Sequence, residues 1–247
     1  MYQFFVDDLQ VGTSEITIEG SDVNHIRNVL RMKNGEKVRI SSRSGKNYYC
    51  SIKEITEDAV CAQILEEYAE ETELPNKIYL FQGLPKSDKM ELIIQKAVEL
   101  GAYEIIPVAM KNCVVKLDEK KAQGKVARWQ AIAESAAKQS KRSLIPRVLM
   151  PVSYKQAVEI AEKLDVRLVP YENERGMAAT KEAVESIEAG QSIGVFIGPE
   201  GGFDASEIAL VQDKMQLISL GRRILRTETA GMTVLSILSY HLESHFG

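Results

Sequence analysis

The sequence has few cysteines, few aromatic residues and no long apolar run, and these shortages argue against several classes of protein. Its three cysteines, Cys50, Cys61 and Cys113, lie far apart and form no C-x-x-C pair. Neither a disulfide framework nor a zinc site is indicated, so we expect no metal. No apolar run approaches the roughly 20 residues that cross a bilayer, and the N-terminus lacks the basic and apolar regions of a signal peptide. We expect a cytoplasmic protein without a membrane partner.

The chain also lacks net positive charge. Its 31 Lys and Arg residues stand against 35 Asp and Glu, a net charge of −4, which argues against binding a polyanion by bulk electrostatics. The average conceals two basic segments, residues 25–53 and 77–150, each with a local excess of +7. Segregation of this kind is typical of a polyanion contact, although it also fits two solvated faces.

The first part of the chain is dominated by short β patterns. Runs at 37–41, 48–55 and 59–65 are separated by turn residues, as in a small β-rich barrel. The acidic stretch 66–76 ends in Pro-Asn and is interpreted as a linker. We therefore predict a barrel-like domain over residues 1–70.

Strand and helix patterns alternate in the rest of the chain. Apolar runs at 77–84, 166–171 and 192–198 predict strands, and the pattern over 120–140 predicts a long basic helix. This alternation is typical of an α/β domain with a largely parallel sheet, which we predict over residues 74–247.

Two segments have the features of a binding site. GPEGG, residues 198–202, follows an apolar strand and precedes a helix expected to be capped by Asp204. Ligands of open α/β sheets bind beyond the carboxyl ends of strands, where glycines let backbone N–H groups approach them. The second segment, 220–231, also follows a strand and leads into a helix that Thr227 could cap. Each segment alone also fits a purely structural connection, and neither is a P-loop or a dinucleotide fingerprint.

Taken together, the segments resemble the bacterial family that methylates N3 of a uridine in 16S ribosomal RNA. This family is a branch of the SPOUT class of S-adenosylmethionine (SAM)-dependent methyltransferases. The resemblance is carried by GPEGGFD at 198–204, by LGRRILRTETA at 220–230, and by four further segments in the same order, at 25–36, 84–107, 128–146 and 168–172. LPKSDKME and KQSKR distinguish this branch from neighbours that share GPEGG.

The resemblance implies a fold, a cofactor and an assembly. Family members join an N-terminal PUA-like β-barrel, which helps to bind RNA, to an α/β domain tied in a deep trefoil knot, a rare exception to unthreaded connections. It further implies a homodimer, with the knot region and closing helix at the interface, and 16S rRNA of the small ribosomal subunit as partner. The chain departs from the family pattern at Gln3, where Arg is usual, and at Ser87, where Gly is common.

The resemblance implies the residues that hold the cofactor, and the chemistry of the reaction suggests the catalytic residues. The two loops and a strand end would hold SAM through Leu168, Pro170, Gly198, Pro199, Glu200, Gly201, Gly202, Leu220, Gly221, Ile224, Leu225, Thr229 and Ala230. Uracil N3 carries a proton, so its methylation requires a base or stabilisation of the anion. We expect Arg226 to stabilise or orient the uracil and Glu200 or Glu228 to accept the proton. Glu228 also fits a first-turn acid favoured by the helix dipole.

Basic side chains are the candidates for RNA contact. In the N-terminal domain they are Arg27, Arg31, Lys33, Arg39, Arg43 and Lys46, and at the approach to the pocket Lys86, Lys89, Lys138 and Arg142. Phosphate contacts of this kind position RNA rather than read its sequence. Two other functions remain open: a related knotted methyltransferase acting on a ribose 2′-OH or on guanine, and a non-catalytic RNA-binding assembly factor.

Overall fold

The computed structural model describes residues 1–69, 72–174 and 176–246, which divide into two compact units. The first unit contains Met1–Glu73 and Ala137–Ile145, and the second contains Leu74–Ala136 and Pro146–Gly247. The predicted domain boundary at residue 70, and Glu70 and Glu71 of the predicted linker, lie outside the described residues.

The described part of the first unit is built on a five-stranded sheet. Its strands are β1 (Tyr2–Val6), β2 (Glu15–Glu19), β3 (Lys37–Ser42), β4 (Asn47–Ile55) and β5 (Ala59–Tyr68), and the short helix α1 (Ser21–Asn24) continues as one π-helical turn, His25–Val29. The strand order is β1-β3-β4-β5-β2, in which β1 pairs with β3 in parallel and the other neighbours are antiparallel. Apolar side chains that alternate along the strands, such as Ile16, Ile18 and Ile40, form the buried core.

Strand β5 continues beyond its predicted end and takes up part of the predicted linker. Tyr68 pairs with Asn47 on β4, and its ring stacks on that of Tyr49 at a centroid distance of 4.1 Å. This aromatic contact extends the sheet into an acidic stretch whose composition had suggested a loop.

The described part of the second unit has a seven-stranded sheet. Its strands are β6 (Lys77–Gly83), β7 (Ala102–Ala109), β8 (Arg147–Val148), β9 (Val152–Ser153), β10 (Val166–Pro170), β11 (Ser192–Ile197) and β12 (Gln216–Ile218). The strand order is β12-β10-β11-β6-β7-β8, with β9 also paired to β7. All these pairings are parallel, which confirms the predicted α/β architecture.

Helices separate these strands, apart from β8 and β9, and a last helix follows β12, in the predicted alternation. They are α2 (Lys89–Glu99), α3 (Glu119–Ser140), α4 (Tyr154–Ala161), α5 (Ala178–Glu185), α6 (Ala205–Val211) and α7 (Thr227–Phe246). At the centre of the sheet the rings of Phe81 and Phe196 stack at 4.3 Å, which fixes β6 against β11. Within the described ranges, no helix combines the length and apolar character needed to cross a membrane.

Candidate active site

A cavity of about 450 Å³ opens beyond the carboxyl ends of three neighbouring strands in the second unit. Strand β10 lies between β11 and β12, so the chain segments that follow these strands meet at one edge of the sheet. Residues of 170–172, 197–203 and 219–227 line the cavity, together with Lys89 of α2 and Ala230 of α7. The two glycine-containing loops singled out in the sequence are therefore brought together in one site.

Most of the residues expected to hold a cofactor line this cavity. They are Pro170, Gly198, Pro199, Glu200, Gly202, Leu220, Gly221, Ile224, Leu225 and Ala230. Three others lie outside the lining, for different reasons. Leu168 is fully buried within β10. Gly201 is packed against Asn112, since a Cβ added to the glycine would lie 2.9 Å from the Asn112 Cβ. Thr229 is exposed on α7, where its carbonyl accepts a hydrogen bond from the Thr233 hydroxyl.

Thr227 joins the two loops, a role different from the helix cap expected of it. Its hydroxyl donates to the Gly198 carbonyl at 2.6 Å and accepts from the Gln82 side-chain amide at 2.9 Å. Both contacts are made inside the protein, because Thr227 and Gln82 are buried. Gln82 could have been recognised in the sequence as a polar residue within an apolar strand. Asp204, by contrast, caps α6 as predicted, accepting from the Ser206 N–H at 2.9 Å.

A lysine lies between the two candidate catalytic carboxylates. Lys89 Nζ lies 3.1 Å from Glu200 Oε1 and 3.2 Å from Glu228 Oε2, so one ammonium group bridges the first loop and the first turn of α7. Glu200 also accepts from the Lys86 backbone N–H at 3.1 and 3.2 Å. Glu228 is not among the residues that line the cavity, but it contacts Lys89, which does line it. Lys89, expected to contact RNA, is thus engaged within the site.

The ionisation of this cluster follows from its contacts. Burial raises the pKa of Glu200, but hydrogen bonds from its own backbone N–H, from Lys89 and from Lys86 outweigh burial and hold the pKa below its usual value. The hydrogen bond to Glu200 raises the pKa of Lys89. At neutral pH the pair is therefore a carboxylate and an ammonium, and Glu200 binds a proton weakly while Lys89 contacts it.

Arg226, the third candidate catalytic residue, lines the cavity and is exposed. The lining also contains residues that the sequence reasoning did not assign, among them Tyr171, Glu172, Ile197, Phe203, Ser219, Arg222 and Arg223. Arg222 and Arg223 belong to the segment that carried the resemblance, but nothing local indicated which of its side chains would face the cavity. The described residues contain no cluster of three or more His, Cys, Asp and Glu that could hold a metal ion.

The basic residues expected to bind RNA in the first unit differ in their surroundings. Arg31 and Lys33 are exposed. Others have partners within the unit: Arg27 with Glu57, Arg43 with Asp7, Lys46 with Glu67, Lys138 with Asp22, and Arg39 with the Tyr68 hydroxyl. Lys138, which was expected at the approach to the pocket, has its ammonium 2.9 Å from Asp22 Oδ1.

Arg142 is buried, with a relative exposure of 4%, and forms an ion pair with Glu73. Gln3 is also buried, and its amide donates to the Arg142 carbonyl and to Ser41. Both side chains therefore take part in the packing of the first unit. The departure from the family pattern at Gln3 therefore concerns a position that is internal in this chain.

Comparison with known proteins identifies related sequences and structures. The RNA methyltransferase domain family matches residues 72–239, and the RNA methyltransferase PUA domain family matches residues 18–65. Ribosomal RNA small subunit methyltransferase E of Bacillus subtilis is 39% identical over 250 residues, with 98% of each chain covered.

Several solved structures resemble the chain over nearly its whole length, and two of them contain SAM. A putative methyltransferase from Legionella pneumophila, in complex with the bound cofactor SAM, has a TM-score of 0.85 at 30% identity, covering 97% of both chains. Ribosomal RNA small subunit methyltransferase E from Neisseria gonorrhoeae, bound to S-adenosyl methionine, has a TM-score of 0.84 at 29% identity with the same coverage.

Proposed function

We propose a specific reaction from one premise: this chain belongs to the RNA methyltransferase family, with a PUA domain preceding the methyltransferase domain. The reaction is SAM-dependent methylation of N3 of a uridine in 16S rRNA of the small ribosomal subunit. The names of the relatives support small-subunit rRNA as substrate. The observation that carries the proposal is the cavity in which two glycine loops meet the Lys89–Glu200 pair.

The cavity fits the cofactor. Its volume of about 450 Å³ lies within the range of about 300–1,000 Å³ typical of ligand sites. Gly202 has a φ of 66°, and an added Cβ would approach the Glu172 carboxylate to 3.3 Å, so a side chain there would fill space at the wall. Apolar lining residues, Ile197, Phe203, Leu220 and Leu225, suit an adenine ring. Glu172 can accept hydrogen bonds from hydroxyl or ammonium groups.

When bound, SAM supplies an electrophilic methyl group on its sulfonium sulfur. The protein must then remove the N3 proton of uracil and stabilise the negative charge that spreads to the uracil oxygens. We propose that a uracil carbonyl accepts a hydrogen bond from Lys89, drawing the ammonium away from Glu200. Glu200 regains proton affinity as that contact weakens, and it accepts the N3 proton. Glu228 holds Lys89 from the opposite side, and Arg226 provides a second cation at the cavity.

The depressed pKa of Glu200 also bears on the alternative reactions. A ribose 2′-OH is a weaker acid than uracil N3–H and needs a stronger base. A carboxylate that is ionised at neutral pH is a weak base, so it suits the more acidic of the two groups better. This supports uracil N3 over a ribose hydroxyl, and the cluster of charged groups at the cavity supports an enzyme over a non-catalytic assembly factor.

The test uses the full-length protein, labelled SAM and small ribosomal subunits from cells that lack the corresponding activity. After digestion, we expect the label in 3-methyluridine. Label in a 2′-O-methyl nucleoside or in methylguanosine would replace the proposal with the related reaction. RNA binding without incorporation would indicate the assembly factor. Arg226→Ala serves as an internal check, because it should abolish methylation while the circular dichroism spectrum and melting temperature stay unchanged.

The proposal extends to domain roles and assembly. We propose that residues 1–70 form the RNA-binding domain and that residues 74–247 form a knotted catalytic domain acting in the cytoplasm. Helix α7 leaves two large aromatic side chains exposed, Tyr240 at 76% and Phe246 at 39%, which supports a homodimer formed through this helix. Light scattering should give twice the chain mass, and Tyr240→Glu should shift it towards the monomer.

A further inference from the structure

Three arginines at the cavity have side chains without a partner in the described chain. Arg222, Arg223 and Arg226 line the cavity and are exposed. None of their side chains forms a hydrogen bond or an ion pair with any residue of 1–69, 72–174 or 176–246. Glu200 and Glu228 instead share the ammonium of Lys89.

A further unpaired cation lies on the loop that contacts Glu200. The Lys86 backbone N–H is bonded to the Glu200 carboxylate, which lines the cavity, while its side chain is exposed and has no partner among the described residues. The exposed cations therefore lie on two loops, the one that contains Lys86 and the one that contains the three arginines. Exposed cations that are not held by acidic partners attract phosphates and release counterions on binding.

The cofactor does not account for this excess of cations. SAM has a single carboxylate and two cationic centres, an ammonium and a sulfonium, so one arginine is enough to match its negative charge. Glu172, which also lines the cavity, is available for the ammonium. Two adjacent guanidinium groups on an exposed loop instead match successive phosphates of a nucleic-acid backbone, to which arginine binds through its planar fork of donors.

We propose that Arg222 and Arg223 bind the RNA phosphates that flank the target nucleotide, so that the loop lining the cofactor cavity also docks the substrate. This inference rests on the proposed function, since it assumes that RNA enters this cavity. It assigns a phosphate-binding role to two residues of a chain segment that is acidic overall. The contact would position the nucleotide against Lys89 and Glu200 without reading the sequence.

The test compares two double charge reversals with identical changes in net charge. R222E/R223E removes the proposed phosphate contacts. K155E/K163E is the matched control, because the side chains of Lys155 and Lys163 are exposed and have no partner among the described residues, and neither residue lines the cavity. Binding of a 16S rRNA transcript is measured by filter retention over a series of salt concentrations, SAM binding by calorimetry, and mass by light scattering.

We expect R222E/R223E to weaken RNA binding at least tenfold at low salt. The slope of log affinity against log salt should fall by about 1.5, because each phosphate contact contributes about 0.7–0.9. The control should stay within about twofold of the parent protein, and SAM affinity and mass should be unchanged in both variants. R222Q/R223Q, which removes charge without reversing it, should give the same loss of slope.

Three results would overturn the inference. RNA binding that is equal in R222E/R223E and in the control would show that the loop does not contact phosphate. A matching loss of SAM affinity would assign the arginines to the cofactor carboxylate, and a changed mass would assign them to a subunit interface. These outcomes are separate from the product analysis. A chain that makes no 3-methyluridine could still bind RNA more weakly, and with a smaller salt slope, in R222E/R223E. A chain that makes 3-methyluridine could show no such change in that variant.

Discussion

Gly83 offers the sharpest test of how the fold positions the first loop of the site. It is the last residue of β6, it is buried, and it pairs with Val108 on β7. A Cβ added to Gly83 would lie 2.7 Å from the Pro199 nitrogen, 2.8 Å from Pro199 Cδ and 3.0 Å from Met110 Sδ. Gly83→Ala therefore forces the loop that contains Pro199 away from the sheet, because β6 is held between two strands and cannot yield.

The size of the effect follows from the distances. Restoring an ordinary contact of 3.4 Å from 2.7 Å requires Pro199 to move by about 0.7 Å, and backbone atoms on both sides resist that movement. Overpacking of this kind costs about 1–3 kcal/mol, which corresponds to about 2–12 °C in the melting temperature of a unit of this size. Pro199 lines the cavity, so we also expect SAM affinity to fall about tenfold, or about 1.4 kcal/mol.

Gly194→Ala is the matched control, with the same substitution in the neighbouring strand β11. Its added Cβ would lie 2.9 Å from Leu164 Cδ1 and 3.3 Å from Phe81 Cε2. The end of the leucine side chain can rotate away, and Leu164 is not a lining residue. We expect a smaller loss of stability and unchanged SAM affinity, measured by thermal unfolding and calorimetry. Parent-like SAM affinity in Gly83→Ala would refute the argument that this close approach positions the loop.

Three further substitutions test separate contacts. Lys89→Met should move the acid limb of the pH–rate profile to higher pH. The substitution removes a hydrogen bond that lowers the pKa of Glu200, so the carboxylate becomes protonated at a higher pH. An acid limb at the parent position would show that the protonation of Glu200 does not limit the rate. Thr227→Val removes the hydroxyl that donates to the Gly198 carbonyl and should cost about 1–3 kcal/mol in urea unfolding, with weaker SAM binding by calorimetry. Gly124 is exposed on α3, and a Cβ added there meets nothing within 4 Å. Gly124→Ala should therefore stabilise the protein by about 0.5–1 kcal/mol in the same unfolding assay. A loss of stability would show that this helical position does not accept a side chain without strain.

The parts of the fold that local sequence determines were predicted closely. The strands expected at 166–171 and 192–198 are observed at Val166–Pro170 and Ser192–Ile197, and the helix expected over 120–140 spans Glu119–Ser140. Periodicity and caps act over a few residues, so they can be recognised in the sequence without knowledge of distant contacts. The alternation of strand and helix then leaves few possible topologies for the sheet. In these topologies the glycine loops lie at the carboxyl ends of the strands.

The arrangement of charged groups in the site could not be predicted in this way. Lys89 lies on α2, whereas Glu200 and Glu228 follow β11 and open α7, and only the sheet order brings the three together. The same limit applies to the ion pairs of two residues that were expected to bind RNA. Arg142 and Lys138 are basic in sequence, but their partners Glu73 and Asp22 are supplied by distant parts of the chain.

For the same reason, the charge counted along the sequence does not show which cations are available to bind a polyanion. The basic excess of residues 25–53 is reduced by the acidic stretches on either side, since Arg27 pairs with Glu57, Arg43 with Asp7, Lys46 with Glu67 and Lys53 with Glu15. Arg222 and Arg223 lie in the segment 151–247, which is acidic overall, yet no acidic residue of the described chain holds them. Because binding depends on the charges left after internal pairing, an RNA site can lie in the part of the sequence where charge counting predicts it least.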